Sequence, residues 1–303
     1  MNYNDFIETI RIRALKAAGD EGEVIINRVV KNNDTELDGL IIKEKDYSIS
    51  PSIYLNYYYD QYCGGCSIDD IMNQILHEYY THRDAIHFDP LLFEKFENIK
   101  NRVVFKIINY NSNKKFLRDI PFKRFLDLAI VYYVVFDEFM GKKATITINN
   151  TYIKKWGITN EELEKQALSN TSSLLKYSIK PLATLLREHG ETNIPGDDNK
   201  QIYVLTNEAN FNGAACILYK DLLKKVSIQI ESDLYIIPSS VHEVLIIPKV
   251  GNITSEELNK MVREVNESDL EREDILSDHV YEYSYKNGCI TYEYSYKNGC
   301  ITM

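Results

Sequence analysis

The chain has 303 residues, of which 44% are hydrophobic and 26% are charged, which is enough for one large domain or two ordinary ones. Its formal net charge of -10 at pH 7 argues against nucleic acid and anionic membrane surfaces as partners, because both attract clustered Lys and Arg. No apolar run approaches the roughly 20 residues of a membrane span. The charged, amphipathic N-terminus does not resemble a signal peptide, so we expect a cytoplasmic location.

The N-terminal part of the chain, about residues 1–120, is predicted to mix helices and strands. The turn-rich segment Asn32-Asn33-Asp34 separates two strand-like apolar runs, and Asp89-Pro90 is typical of a helix start. The predicted helices cover 3–18, 55–62, 67–82 and 90–100, and the predicted strands cover 23–31, 37–45 and 102–110.

The C-terminal part, about residues 121–303, is predicted to form an α+β domain. Residues 125–136 form a nearly continuous apolar run rich in β-branched and aromatic side chains, which predicts a buried central strand. Thr159 and Glu162 have the spacing of a helix capping box, as do Thr254 and Glu257. Other strands are predicted at 144–149, 202–205, 234–238 and 241–248, and helices at 159–175, 179–189, 220–231 and 254–266. Because helices and strands do not alternate regularly, we expect a mixed, mostly antiparallel sheet flanked by helices.

The C-terminus carries an exact tandem repeat, in which YEYSYKNGCIT occupies residues 281–291 and again residues 292–302. The alternating residues followed by Asn-Gly predict a β-hairpin with a two-residue turn at Asn287-Gly288. A second turn of this kind at Asn298-Gly299 would add a third strand. The repeat therefore predicts a C-terminal β-meander over residues 281–303.

The predicted register pairs Tyr283 with Tyr292 and gathers tyrosines on one face, which we interpret as a binding surface. This predicted tyrosine face consists of Tyr281, Tyr283, Tyr285, Tyr292, Tyr294 and Tyr296. Two other interpretations remain open. Two identical copies could compete for one place in the sheet and leave an exposed edge strand, or a slipped duplication merely lengthens a strand.

The strongest polar cluster lies between two apolar strands and contains Ser239, Ser240, His242 and Glu243. A hydrolase needs a Ser nucleophile, a His base within hydrogen-bonding reach and an acid that orients the base. Ser240 and His242 could share one strand face, with the orienting acid supplied from elsewhere. The alternative is a hairpin turn whose serines satisfy backbone groups, since the sequence contains no Gly-x-Ser-x-Gly elbow.

Cys63 and Cys66 form a single CxxC motif, a weak candidate for a metal or redox site. A structural zinc site needs four ligands, and the sequence has no second CxxC motif. His77 and His82 mimic a zinc-protease motif, but their i, i+5 spacing rotates them apart on a helix. We therefore expect neither a metal nor another cofactor.

Several segments carry a family resemblance: ISPSIYLNYYYDQY (49–62), DLAIVYYVV (127–135), WGITNEELEKQALSNT (156–171), YVLTN (203–207), GAACILY (213–219), IIPSSVHEVLIIP (236–248) and LSDHVYEY (276–283). Together they resemble an uncharacterised bacterial family of unknown function, DUF5688, over nearly the whole chain. Residues 122–303 also resemble, more distantly, the YtpQ-like family of unknown function. Neither resemblance implies a reaction, a substrate or a cofactor.

These observations favour a binding or interaction protein without a catalytic motif, whose partner is a protein or peptide. One alternative is a peptide precursor or modification substrate, in which other enzymes act on the duplicated YEYSYKNGCIT segment. A second alternative is a hydrolase that uses Ser240 and His242.

Overall fold

The structure is a computed structural model that describes residues 1–19, 21–44, 50–83, 90–139, 142–188, 190 and 202–292. The α+β class predicted from the sequence is confirmed, with helices and antiparallel sheets throughout the described ranges. The chain divides into two compact units, Met1–Leu91 with Phe139–Lys142, and Leu92–Glu138 with Lys143–Met303. A domain boundary near residue 120 stays a prediction. None of the described helices is long and apolar enough to cross a membrane.

The first unit packs helices against a small antiparallel sheet. Its elements are α1 (Tyr3–Ala18), β1 (Glu23–Val30), β2 (Glu36–Lys43), β3 (Ser52–Tyr54), α2 (Leu55–Cys63) and α3 (Ile68–Arg83). The strand order is β1-β2-β3, and Leu40 of β2 lies between Ile26 and Ile53 of its neighbours. Phe6 of α1 and Ile71 of α3 belong to the same buried cluster as Leu40. The apolar faces of the helices thus cover the sheet and exclude water from it.

The second unit contains most residues of two further sheets and of the remaining helices. Its strands are β4 (Val103–Asn109), β5 (Phe122–Phe125), β6 (Leu128–Phe139), β7 (Lys142–Thr147), β8 (Tyr177–Pro181), β9 (Tyr203–Asn207), β10 (Leu234–Pro238), β11 (Val244–Pro248), β12 (Tyr281–Ser284) and β13 (Cys289–Thr291). Its α-helices are α4 (Phe96–Ile99), α5 (Asn150–Trp156), α6 (Asn160–Leu174), α7 (Leu182–Glu188), α8 (Leu222–Ile230) and α9 (Ser255–Ser268). Short 3-10 helices cover Pro90–Glu94, Lys100–Arg102, Phe116–Arg118, Gly213–Leu218 and Arg272–Asp274.

Strand β6 is the centre of a four-stranded sheet, in which it pairs with β4, β5 and β7. The predicted continuous strand at 125–136 was wrong, because the chain turns between Phe125 and Leu128. β5 ends at Phe125, Leu126 adopts a left-handed φ of 57°, and β6 begins at Leu128. The apolar pattern does not reveal this turn, because Leu126 is as apolar as Phe125 before the turn and Leu128 after it.

The second sheet has six strands in the order β13-β12-β10-β11-β9-β8, with antiparallel neighbours at each described pairing. Two predicted boundaries were wrong. The predicted strand 241–248 begins only at Val244, because a turn precedes it in which the Ser240 N–H donates to the Glu243 carbonyl at 3.1 Å. The predicted helix 179–189 starts inside a strand, since β8 runs to Pro181 before α7 begins.

Two helices begin with the capping boxes that the sequence indicates. The Thr159 hydroxyl accepts from the Glu162 N–H at 3.2 Å, and the Glu162 carboxylate accepts from the Thr159 N–H at 2.8 Å. Thr254 and Glu257 repeat this arrangement at the start of α9. These caps satisfy backbone donors that would otherwise lack partners, and they fix where α6 and α9 begin.

The first repeat copy forms the β12–β13 hairpin, but its register differs from the predicted one. Tyr283 lies opposite Ile290, so the loop contains four residues instead of two. The cause lies in Ser284, whose carbonyl accepts from the Gly288 N–H at 2.8 Å and whose hydroxyl accepts from the Asn287 N–H at 3.2 Å. The predicted second hairpin, with Tyr294 and Tyr296, lies outside the described residues, so the meander stays a prediction.

Candidate functional site: a cleft beside the C-terminal hairpin

A cleft of about 1080 Å³ opens in the second unit. It is lined by β5, by α6, by residues 217–224 at the start of α8, and by the β12–β13 hairpin. Ligand sites in proteins commonly enclose roughly 300–1,000 Å³ and combine apolar walls with a few polar groups. The cleft is slightly larger than that range, which suits a ligand larger than a simple metabolite.

Aromatic side chains line the inner part of the cleft. Phe125, Tyr219 and Tyr283 are buried, whereas Tyr285 in the hairpin loop is 50% exposed. The Tyr219 hydroxyl donates to the Leu175 carbonyl at 2.7 Å, which fixes that ring. Burial raises the pKa of Tyr219 and of Tyr283, so both rings stay neutral and present apolar surface.

Exposed basic side chains surround the cleft, which contrasts with the negative charge of the whole chain. The basic lining residues are Lys123, Arg124, Lys220, Lys224 and Lys286, and the acidic ones are Glu164 and Asp221. Lys123 is matched by Glu164, with 2.6 Å between the Lys Nζ and a carboxylate oxygen. The remaining lysines and Arg124 leave the cleft with an excess of positive charge, which favours an anionic ligand.

Two residues beside the cleft hold unusual backbone conformations. Asp221, which precedes α8, has a φ of 58°, and Leu126, which follows β5, has a φ of 57°. A left-handed conformation costs a non-glycine residue about 1–2 kcal/mol, and such residues cluster at functional sites. Asp221 itself lines the cleft and Leu126 directly follows the lining residue Phe125, so the chain changes direction at both points of the cleft wall.

A buried polar network anchors the base of the hairpin. The Tyr281 hydroxyl donates to Asp127 Oδ1 at 2.8 Å, and the Ser277 hydroxyl donates to Asp127 Oδ2 at 2.6 Å. Asp127 precedes β6, so these bonds tie β12 to the other sheet. All three side chains are buried, and Tyr281 is 0% exposed. Tyr281 is therefore a core residue, and its predicted place on a binding surface was wrong.

The other members of the predicted tyrosine face that the structure describes divide between the base and the cleft. Tyr292 packs edge-on against Tyr281, with 6.2 Å between ring centroids, at the base of the hairpin. Tyr283 and Tyr285 line the cleft. The structure thus brings two members of the predicted tyrosine face to the candidate site. Sequence reasoning missed the basic residues around them, because those residues come from β5, the α8 segment and the hairpin loop.

The Ser239–Glu243 segment forms the turn between β10 and β11. The Ser240 hydroxyl accepts from the His242 backbone N–H at 3.0 Å. On the His242 ring, Nδ1 accepts from the Asn212 N–H at 3.2 Å, and Nε2 lies 3.3 Å from an Asp274 carboxylate oxygen. Both ring nitrogens are therefore engaged, whereas a general base needs one of them free for the nucleophile. A hydrolytic role for Ser239, Ser240, His242 and Glu243 stays a prediction that this geometry does not support.

The CxxC motif lies in the first unit. Cys63 is the last residue of α2 and is exposed, while Cys66 is half-buried against the core of that unit, and both are free thiols. Within the described ranges, no group of three or more His, Cys, Asp or Glu is placed to hold a metal ion. Glu78, beside His77, accepts from the Tyr58 hydroxyl at 2.6 Å. A metal or redox role for the two cysteines stays a prediction.

The model of a family of unknown function, DUF5688, matches residues 3–285. The chain belongs to this family. No curated protein and no solved structure matches it. The resemblance to DUF5688 stated from the sequence is thus confirmed, while the one to the YtpQ-like family stays a prediction. The DUF5688 match includes β5, α6, α8 and β12 and ends at Tyr285, so β13 and the second repeat copy lie beyond it.

Proposed function

We propose that this DUF5688 protein is a non-catalytic binding module that docks a segment of a partner protein or peptide in the cleft beside the β12–β13 hairpin. The observation that carries the proposal is the cleft itself, with its buried aromatic lining and exposed basic surroundings. Aromatic and Arg side chains are the groups that contribute most at protein interfaces.

Two exposed apolar side chains in the cleft support a macromolecular partner. Leu168 on α6 is 41% exposed and Tyr285 in the hairpin loop is 50% exposed, and both line the cleft. They belong to different elements, so a ligand that covers both must bridge α6 and the hairpin. Exposed apolar groups that are surrounded by polar residues are typical of protein interaction sites.

Selection from a random phage-displayed peptide library tests the proposal. Ser172→Trp introduces a bulky ring into the cleft, and Ser173→Trp places the same ring on the neighbouring exposed position outside the lining. We expect selected peptides to bind the wild type and Ser173→Trp but not Ser172→Trp. Tyr285→Ala is a second cleft variant that removes side-chain contacts without adding bulk.

Thermal unfolding of all variants checks that each is folded. Peptides that bind Ser172→Trp and Tyr285→Ala as well as the wild type would overturn the proposal, because binding would then occur outside the cleft. A selection that enriches no peptide would overturn it as well.

A further inference from the structure

We infer that the cleft selects acidic peptide segments that carry an apolar or aromatic anchor residue. This inference rests on the proposed function and specifies the chemistry of the partner. Its basis is charge complementarity, since five basic residues and two acidic residues line the cleft of a protein whose net charge is -10. An excess of lysine at one site of an acidic protein attracts acidic partners and repels basic ones.

The positions of the basic residues favour an extended ligand over a compact anion. Lys123 and Arg124 lie on β5, Lys220 and Lys224 flank the start of α8, and Lys286 lies in the hairpin loop. Recognition of a single phosphate requires donors that converge on one point. Cations distributed over three elements instead match several carboxylates spaced along a chain.

Two contacts within the protein hold the charged side chain of Arg124 on β5 in one orientation. Its guanidinium lies 4.5 Å from the centroid of the Tyr110 ring, and its Nε donates to the Leu126 carbonyl at 3.2 Å. An arginine oriented in this way loses less side-chain entropy when it binds a carboxylate. β5 therefore presents a pre-oriented cation to the ligand.

Leu168 and Tyr285 are the two exposed apolar groups of the cleft. A ligand that covers them needs an apolar anchor residue of its own. Exposed ion pairs contribute only about 0–1 kcal/mol each, so charge alone yields weak and unselective binding. Burial of one large apolar side chain contributes about 1.5–3 kcal/mol. The ligand therefore combines one anchor with flanking Asp or Glu residues.

Fluorescence anisotropy with three synthetic peptides tests the inference. The fluorescein-labelled peptides share the same Leu and Tyr anchors and carry Glu, Gln or Lys at every other position. The protein variants are the double substitution Lys220→Glu with Lys286→Glu, the cleft-filling Ser172→Trp, and Lys260→Glu as a control. Lys260 lies on α9 outside the cleft lining, and its side chain is 76% exposed.

We expect the Glu peptide to bind about tenfold more tightly than the Gln peptide, a difference of about 1.4 kcal/mol, and to weaken as salt is added. The double substitution should abolish this preference, while Lys260→Glu should retain it. Binding of the Gln or Lys peptide that equals that of the Glu peptide and disappears in Ser172→Trp would overturn acidic selectivity and leave the proposed function intact. Binding of all three peptides that Ser172→Trp does not change would overturn both.

Two further outcomes address other occupants of the cleft. If inorganic phosphate displaced the Glu peptide at a concentration where sulfate and chloride did not, the site would be a compact anion site and the inference would be wrong. Sedimentation of the protein alone completes the test. Self-association that Ser172→Trp abolishes would assign the cleft to a second copy of this chain and also contradict the inference.

Discussion

The base and the tip of the β12–β13 hairpin use the same residue type for opposite purposes. At the base, Tyr281 is 0% exposed and its hydroxyl donates to the buried Asp127. At the tip, four residues along the chain, Tyr285 is 50% exposed and lines the cleft with Lys286. Both tyrosines belong to one repeat copy with an alternating pattern. The difference shows that the surroundings supplied by distant segments, and not the local sequence, decide which tyrosine stabilises the fold and which is available to a ligand.

Removal of the Asp127 carboxyl group should have the largest effect on stability, because it breaks the polar network at the base of the hairpin. Asp127→Ala leaves the hydroxyls of Tyr281 and Ser277 buried without their acceptor, so we expect the free energy of unfolding to fall by about 3 kcal/mol. Urea unfolding measures the change. Asp119→Ala, at an exposed aspartate in the preceding loop, is the control and should change stability by less than about 0.5 kcal/mol. Equal effects of the two substitutions would show that the network does not anchor the hairpin.

A matched pair of substitutions compares the two tyrosines directly. Tyr281→Phe removes the hydroxyl that donates to the buried Asp127 carboxyl group, and it should lower the free energy of unfolding by about 2 kcal/mol. Tyr285→Phe removes the same hydroxyl from an exposed loop and should cost less than about 0.5 kcal/mol. Urea unfolding of both variants measures the difference. Equal losses of stability in the two variants would contradict a structural role for the Tyr281 hydroxyl at the base of the hairpin.

Alkaline pH gives a second, independent measure of the base. Burial raises the pKa of Tyr281 well above its ordinary value of 10.0, and the nearby Asp127 carboxyl group raises it further. Above pH 10 the unfolded chain loses a proton that the folded protein retains, so the free energy of unfolding falls as pH rises. This group contributes a slope of about 1.4 kcal/mol per pH unit.

Tyr281→Phe lacks that proton, and its stability should therefore decline less steeply above pH 10 than that of the wild type. Burial also raises the pKa of Tyr133 and Tyr219, which lowers the stability of both proteins above pH 10, so the comparison uses the difference between the two proteins at each pH. Parallel curves for the wild type and Tyr281→Phe would mean that Tyr281 is not protected from ionisation.

Local patterns predicted much of the fold. The helix starts at Thr159 and Thr254 follow from side-chain and backbone groups three residues apart, and the apolar run of β6 identifies its buried position. The errors arose where distant or subtle contacts decide. Leu126 turns the chain without interrupting the apolar pattern, and Ser284 lengthens the hairpin loop through bonds that an Asn-Gly signal does not reveal.

The candidate site was less accessible to sequence reasoning. The repeat drew attention to Tyr283 and Tyr285, which do line the cleft, but the predicted face also included Tyr281, which is buried. An isolated Asp127 within an apolar run was the available signal for a buried partner. The basic residues could not be grouped in advance, because Lys123 and Lys286 are separated by most of the second unit and meet only through the fold.

Substitutions at the tip should have the smallest effect on stability, and they distinguish the observed four-residue loop from the predicted two-residue turn. A two-residue Asn-Gly turn favours type I′, which requires a positive φ at both Asn287 and Gly288, whereas only Gly288, at 63°, has one in the structure. Gly288→Ala should therefore cost about 1 kcal/mol from backbone strain, since the nearest atom to an added Cβ is 3.9 Å away. Asn287→Ala should cost less than about 0.5 kcal/mol. If urea unfolding showed similar losses for both, the two-residue turn would be present, and Tyr285 would pair with Ile290 in the strand instead of lining the cleft from the loop.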